Sequence, residues 1–180
     1  MADTTPSPVD LAQLHQAIYA AFHQQYAAWT IASYSQPVAQ TTLPGVYFKL
    51  TTINPSTPAD SGTSQWSCVL AFSAYIVTTA TAAGQLDARV NALALAALIN
   101  GSRFGCPVGP AILTAIAEDT AFVDTTQYSV MRIDWTHEAL VGTSIWQPGT
   151  DPVPDQILVS ISPRIGIPNV DYYQPVNTLP

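Results

Sequence analysis

Apolar residues recur at three- and four-residue intervals early in the chain, at Leu11, Leu14, Ile18 and Phe22, with Trp29 two turns further on. One such stripe on an otherwise Gln- and Ala-rich segment predicts an amphipathic helix. Ser7 is placed to cap it, Pro8 suits its first position, and Asp10 falls at capping-box spacing in the first turn. Leu43-Pro44-Gly45 then signals a turn, and the pattern changes to strict alternation. Val46, Phe48 and Leu50 share one face and Tyr47, Lys49 and Thr51 the other, which predicts a strand. The Pro-, Ser- and Thr-rich segment Asn54–Ser64 reads as a hairpin loop. In the return strand, Trp66, Cys68, Leu70, Phe72, Ala74 and Ile76 share a face, and Ser67, Val69, Ala71, Ser73 and Tyr75 the opposite one. Both faces are moderately apolar, so this strand is expected at the centre of a sheet covered on both sides.

Ala82–Ile99 predicts a second helix, with Leu86, Val90, Leu93 and Ala97 as its inward stripe and Gly101 as its stop. After the Gly101–Pro110 loop, Pro110 is expected to open a short helix through Ala117. A late strand pair follows, Tyr128–Trp135 and a segment around Gly142–Trp146. From Gln147 the prolines Pro148, Pro152 and Pro154 interrupt the chain before a short strand at Gln156–Ile161. Ser162–Pro180 shows no helical period. The expected organisation is a domain over residues 1–146 and a Pro-rich extension over 147–180. The order of elements gives an α+β fold, a mainly antiparallel sheet with two main helices on one face plus an extended C-terminal arm.

Composition sharpens this picture at one point. Only 9% of the 180 residues are charged while 48% are hydrophobic, against roughly 25% charged in an average soluble protein. Loss of charge is what buried subunit interfaces share, so the surface is expected to be partly covered by other subunits. The net charge is −7, and the five basic residues, Lys49, Arg89, Arg103, Arg132 and Arg164, are scattered. Gripping a phosphate backbone needs them clustered, which argues against a nucleic-acid binder. Cys68 and Cys106 are expected as reduced thiols. Residues 1–10 lack a basic residue and an apolar run, so no secretory signal is expected. The longest apolar stretches, Cys68–Val77 and Leu93–Ile99, are far short of a bilayer span. The expectation is a protein made in the cytoplasm with no membrane partner.

Candidate chemistry is thin. Asp134, His137 and Glu138 form the densest titratable group, but on a strand Asp134 and Glu138 face one way and His137 the other. A solvated strand end or a set of subunit salt bridges is the expected account. His15 and His23 are expected at the surface or the edge of the first helix stripe. The Gly101–Pro110 loop leaves a helix and lacks a following Lys-Ser or Lys-Thr pair, so it is no phosphate cradle. No Gly-x-Ser-x-Gly elbow occurs. Neither a catalytic residue, a metal site nor a cofactor is expected.

The stretch Tyr128–Trp146, YSVMRIDWTHEALVGTSIW, resembles the late strands of the Mu-like and lambda-like phage tail terminators, where a Trp-containing strand leads to a Gly and a second Trp. The ending Val159–Val176, VSISPRIGIPNVDYYQPV, is similar to theirs at Pro163, Ile165-Gly166 and Asp171-Tyr172. The opening helix, the Leu43-Pro44 turn and the Ala-rich helix fall in matching order, so the resemblance spans nearly the whole chain. It implies a homohexameric ring that caps the tail tube, engages the sheath where the tail contracts, and offers a docking face to neck connector proteins. DNA would pass through the lumen without specific binding, and the protein would reside at the tail–neck junction of the virion. The expected subunit-interface residues are Arg89 on the second helix and Arg132, Asp134 and Glu138 on the late strand. Two alternatives stay open: another neck protein (a head–tail adaptor or stopper), and a small-molecule-binding or enzymatic domain.

Overall fold

The computed structural model describes residues 9–34, 43–56, 64–120, 127–145, 158–159 and 167–175. The chain divides into two compact units, Pro6–Trp146 and a second made of Met1–Thr5 with Gln147–Pro180.

In the first unit, helix α1 spans Leu11–Gln25. Asp10 is its cap: one carboxylate oxygen accepts from the backbone N–H of Ala12 at 2.9 Å and of Gln13 at 3.1 Å. Two of the unpaired donors of the first turn are thereby satisfied. The helix thus starts later than the Ser7 cap expected from the sequence, and Ser7 and Pro8 lie outside the described residues. Leu14, Ile18 and Phe22 are its buried face. The helix stops four residues before Trp29, which packs against the core from the turn that follows, its ring 4.9 Å from Tyr26.

That turn delivers a strand absent from the sequence reading, β1 (Thr30–Ser33), which runs parallel to β2 (Gly45–Pro55). β2 pairs antiparallel with β3 (Trp66–Thr79), which gives the hairpin expected from the sequence. Helix α2 (Ala82–Ile99) follows, then β4 (Ile112–Glu118) and β5 (Tyr128–Val141). The sheet order is β1-β2-β3-β5-β4, so β3 is central as expected, and only the β1–β2 pair is parallel. The fold is α+β.

Two of the expected elements differ. Ile112–Glu118 is a strand and not a helix: it gains a ladder against β5, interrupted by one register shift between Leu113 and Ala115, and this tertiary pairing outweighs the helix-starting signal of Pro110. The late strand pair is instead one 14-residue strand, β5, which passes through His137 to Val141 and ends at Gly142 with φ of 103°. Residues 142–145 form no strand, and Trp146 lies outside the described residues.

Both helices pack on the same face of the sheet. Val46 and Phe48 of β2, Cys68, Leu70, Phe72, Ala74 and Ile76 of β3, and Ile133, Trp135 and Ala139 of β5 join the helices in one core. Phe22 meets Phe48 and Trp135 edge-on, and the Tyr26 hydroxyl donates to the carbonyl of Asn91 in α2. A smaller cluster of Tyr47, Tyr75, Val77 and Val130 occupies the opposite face.

Helix α2 turns the other way from the sequence expectation. Its buried residues are Gly84, Ala88, Ala92, Leu95, Ala96 and Ile99, while Leu86, Val90 and Leu93 are 62%, 57% and 64% exposed and Ala97 is exposed as well. The reason is distance. A Cβ on Gly84 would collide with the backbone carbonyl of Thr79, so the first turn of α2 lies too close to the end of β3 for any side chain there. The row of small residues at four-residue spacing continues that close approach along the sheet. The larger aliphatic stripe, which has the same period, is left facing outward.

The second unit, taken by itself, contains a two-stranded antiparallel pair, β6 (Leu158–Val159) with β7 (Gln174–Pro175), and a 3-10 helix, Ile167–Tyr172, between them. Of the strand expected at Gln156–Ile161, only Leu158–Val159 falls among the described residues. The 3-10 turn replaces the aperiodic chain expected over that stretch.

Candidate functional site

The titratable group on β5 separates as alternation requires. His137 lies on the helix side, fully buried, between Phe72 and Phe104. The indole N–H of Trp135 donates to its Nε2 at 3.2 Å, so the ring proton sits on Nδ1 and donates to the Gly109 carbonyl at 2.8 Å. Burial depresses the basicity of this imidazole, and the Gly109 bond opposes that only in part. His137 is therefore a neutral core residue that fastens the 101–111 loop to β5, and not part of the solvated strand end expected from the sequence. The loop is held there too by the Gly109 N–H bond to the Glu138 carbonyl at 2.7 Å.

Asp134 and Glu138 are on the other face. Asp134 accepts from the Ser73 hydroxyl at 2.6 Å and from Arg132 at 3.0 Å. Arg132 reaches Asp119 as well, at 3.1 Å, and Asp134 beside it raises its already high pKa. Arg89 pairs with Glu118 at 3.1 Å, linking α2 to β4. Three of the four residues expected at subunit interfaces, Arg89, Arg132 and Asp134, thus have partners inside their own chain. The fourth, Glu138, is exposed. Four residues of strand place Glu138 roughly 13 Å along from Asp134, which keeps the two carboxylates from acting as a pair.

The remaining nucleophiles and bases are quiet. Cys68 and Cys106 are free and buried, and burial pushes both thiols up, away from the reactive thiolate. His15, half-buried, stacks between Tyr34 and Phe48 with ring centroids at 4.9 and 4.6 Å. Burial lowers its pKa. His23 is exposed. Among the described residues, no three His, Cys, Asp or Glu side chains gather to hold a metal ion, and no helix is long and apolar enough to cross a membrane.

Two of the hollows lined by described residues of the first unit border β5. An open cleft of about 540 Å³ lies where the 101–111 loop meets β3 and β5, with Arg103 and Glu138 as its charged lining. A shallower hollow of about 360 Å³ on the sheet face opposite the helices is lined by Lys49, Ser73, Tyr75, Arg132 and Asp134. There the charges are engaged locally, Arg132 with Asp134 and Lys49 over the Tyr75 ring at 5.5 Å.

The most unusual surface is apolar. Leu86, Val90 and Leu93 stand in a row along the outside of α2. Beside them runs β4, which pairs with β5 on one side, and no strand among the described residues pairs with its other side. Ile112 and Ile116 of β4 are also exposed. Sequence reasoning placed the α2 stripe in the core and missed this surface. The signal that could have found it was the second stripe, Gly84, Ala88, Ala92 and Ala96, whose small side chains suit contact with a sheet better than leucines do.

No described protein family and no curated protein matches the chain. Among solved structures, a chain from the virion of a native gene transfer agent particle shares 16% identity at a TM-score of 0.44, covering 74% of this chain and 94% of that one. A second solved chain shares 16% identity at a TM-score of 0.39, over 74% of this chain and 97% of its own length. Similarity of that order fixes neither a partner nor a role.

Proposed function

We propose that the chain is a structural virion protein, a phage tail terminator that closes the tail tube as a homohexameric ring and presents a docking face to the neck. The observation that carries this reading is the row Leu86, Val90 and Leu93, left in solvent on a chain in which only 9% of residues are charged. A contiguous exposed apolar surface of this kind marks an interaction site. The resemblance of Tyr128–Trp146 and Val159–Val176 to tail terminators supplies the particular assembly. A closed ring needs a contact between two different faces that repeats by rotation, and the free energy comes from burying such surfaces. Six copies at −7 each carry −42, a charge that keeps DNA from adhering as it passes. No bond is made or broken in this work, in keeping with buried, neutral thiols and a neutral His137 held in the core.

The test is tube growth. Purified protein added to polymerising tail tube subunits encoded in the same genome is expected to arrest elongation, so that tube length falls as protein is added. Tubes that lengthen unchanged at saturating protein exclude the terminator role. A neck adaptor or stopper would instead bind completed heads or capped tails and leave elongation alone. The small-molecule reading has the 540 Å³ cleft in its favour, a volume typical of ligand pockets. It requires a ligand that raises the melting temperature.

A further inference from the structure

We propose that the 101–111 loop is an acid-released cover, latched shut by neutral His137 and freed when that imidazole takes up a proton. The device lies within one chain and does not depend on the assembly reading above.

The loop is closed at its neck and fastened at its tip. At the neck, the Gly101 N–H donates to the Ala111 carbonyl and the Ala111 N–H to the Ser102 carbonyl, each at 2.8 Å. At the tip, His137 Nδ1–H donates to the Gly109 carbonyl at 2.8 Å, and Nε2 accepts from the Trp135 indole at 3.2 Å. The Gly109 N–H to Glu138 bond and a bridge between Val108 and Ala139 complete the contact with β5. Arg103, the loop's one charge, forms no ion pair with a described residue, so no electrostatic tie adds to the latch.

A protonated imidazole cannot keep this arrangement. Both ring nitrogens then carry hydrogen, and Nε2–H meets the Trp135 N–H donor against donor. Turning the ring over still leaves one acceptor, the Gly109 carbonyl, for two donors. No carboxylate compensates. Asp134 and Glu138 of β5 project from the opposite face, and Asp87 and Arg89 of α2 are exposed. Cys68 of β3 and Cys106 of the loop are neutral thiols, and Asp10 before α1 acts on Cys106 and not on His137. A buried cation so placed must reach water. The way out runs through the loop: Phe72 and Trp135 are 1% and 0% exposed, whereas Phe104 and Gly109 are half-buried. Lifting the loop wets the imidazole and leaves the sheet in place. It also removes Arg103, Pro107, Val108 and Gly109 from the wall of the 540 Å³ cleft and brings buried Cys106 into solvent.

The test labels the full chain with dithiodipyridine, a thiol reagent that stays reactive in acid, and reads Cys106 by peptide mass. Each rate is divided by that of the urea-unfolded chain at the same pH, which leaves the opening equilibrium of the loop. Well above pH 6.5 the imidazole is neutral whether the loop is closed or open, and the value is expected to be constant. Below 6.5 it is expected to rise by up to about tenfold per pH unit, the signature of one proton taken up on opening. At each pH the opening should exceed the unfolded fraction given by urea denaturation. His137→Asn keeps a donor for the Gly109 carbonyl, and His137→Gln keeps an acceptor for the Trp135 N–H. Neither can take up the proton, so both are expected to lose the rise. A flat wild-type profile, an opening no larger than the unfolded fraction, or a rise that persists in a folded variant overturns the latch. Should neither variant fold, the wild-type profile decides alone.

Discussion

His137 ties Trp135, Phe72, Phe104 and the Gly109 carbonyl together around one neutral imidazole. Its replacement by alanine leaves the indole N–H and that carbonyl without partners and opens a cavity, so His137→Ala is expected to lower the unfolding free energy by about 3 kcal/mol. Urea denaturation would measure it. A loss below the few tenths typical of surface changes would show that the ring is not held as described. The same residue sets a pH dependence. In the unfolded chain the imidazole titrates near 6.5, and burial lowers that value in the folded protein. Between those two pKa values the unfolded state binds the proton that the folded state resists. Its contribution to stability is therefore expected to be flat above pH 7.5 and to decline as pH falls below 6.5. His137 alone can contribute a slope of up to about 1.4 kcal/mol per pH unit. His15, also lowered by burial, acts in the same direction. Melting temperatures from pH 8 to 5 would show the decline, and His137→Phe should flatten it.

At the scale of elements, α2 decides most. Its two stripes share a period, and hydrophobicity alone favours the wrong one as core. Leu93→Gln is expected to change stability by no more than about 0.5 kcal/mol, whereas Leu95→Ala should cost about 2–5 kcal/mol. Equal losses in chemical denaturation would mean that the helix faces the other way. Gly84→Ala is the sharper probe, because the added methyl meets the Thr79 backbone and cannot be absorbed by a side-chain rotation. It is expected to destabilise by at least the 1–3 kcal/mol typical of overpacking. The hairpin faces, the central place of β3 and the limits of α2 were legible in the sequence, because period and turn residues are local signals. β1, the strand nature of Ile112–Glu118 and the inward face of α2 were not. Each depends on a neighbour: β2 beside Thr30–Ser33, β5 beside β4, and the closeness of β3 to Gly84. The separation of His137 from Asp134 and Glu138 followed from alternation. Its burial did not, since that needs the 101–111 loop to fold back over β5.

For the whole molecule, low charge and outward aliphatics belong together. A free chain with Leu86, Val90 and Leu93 in water carries an apolar surface that association would bury. At a net charge of −7, copies of the chain repel at long range. Added salt screens that repulsion while leaving burial largely intact, so self-association is expected to strengthen as ionic strength rises. The most direct measurement is electron-microscope imaging of tail tube ends after mixing with the purified protein. Six-fold rings seated on one end of each tube are the predicted result. Tube ends that stay bare at saturating protein, with the chain still monomeric, would contradict it.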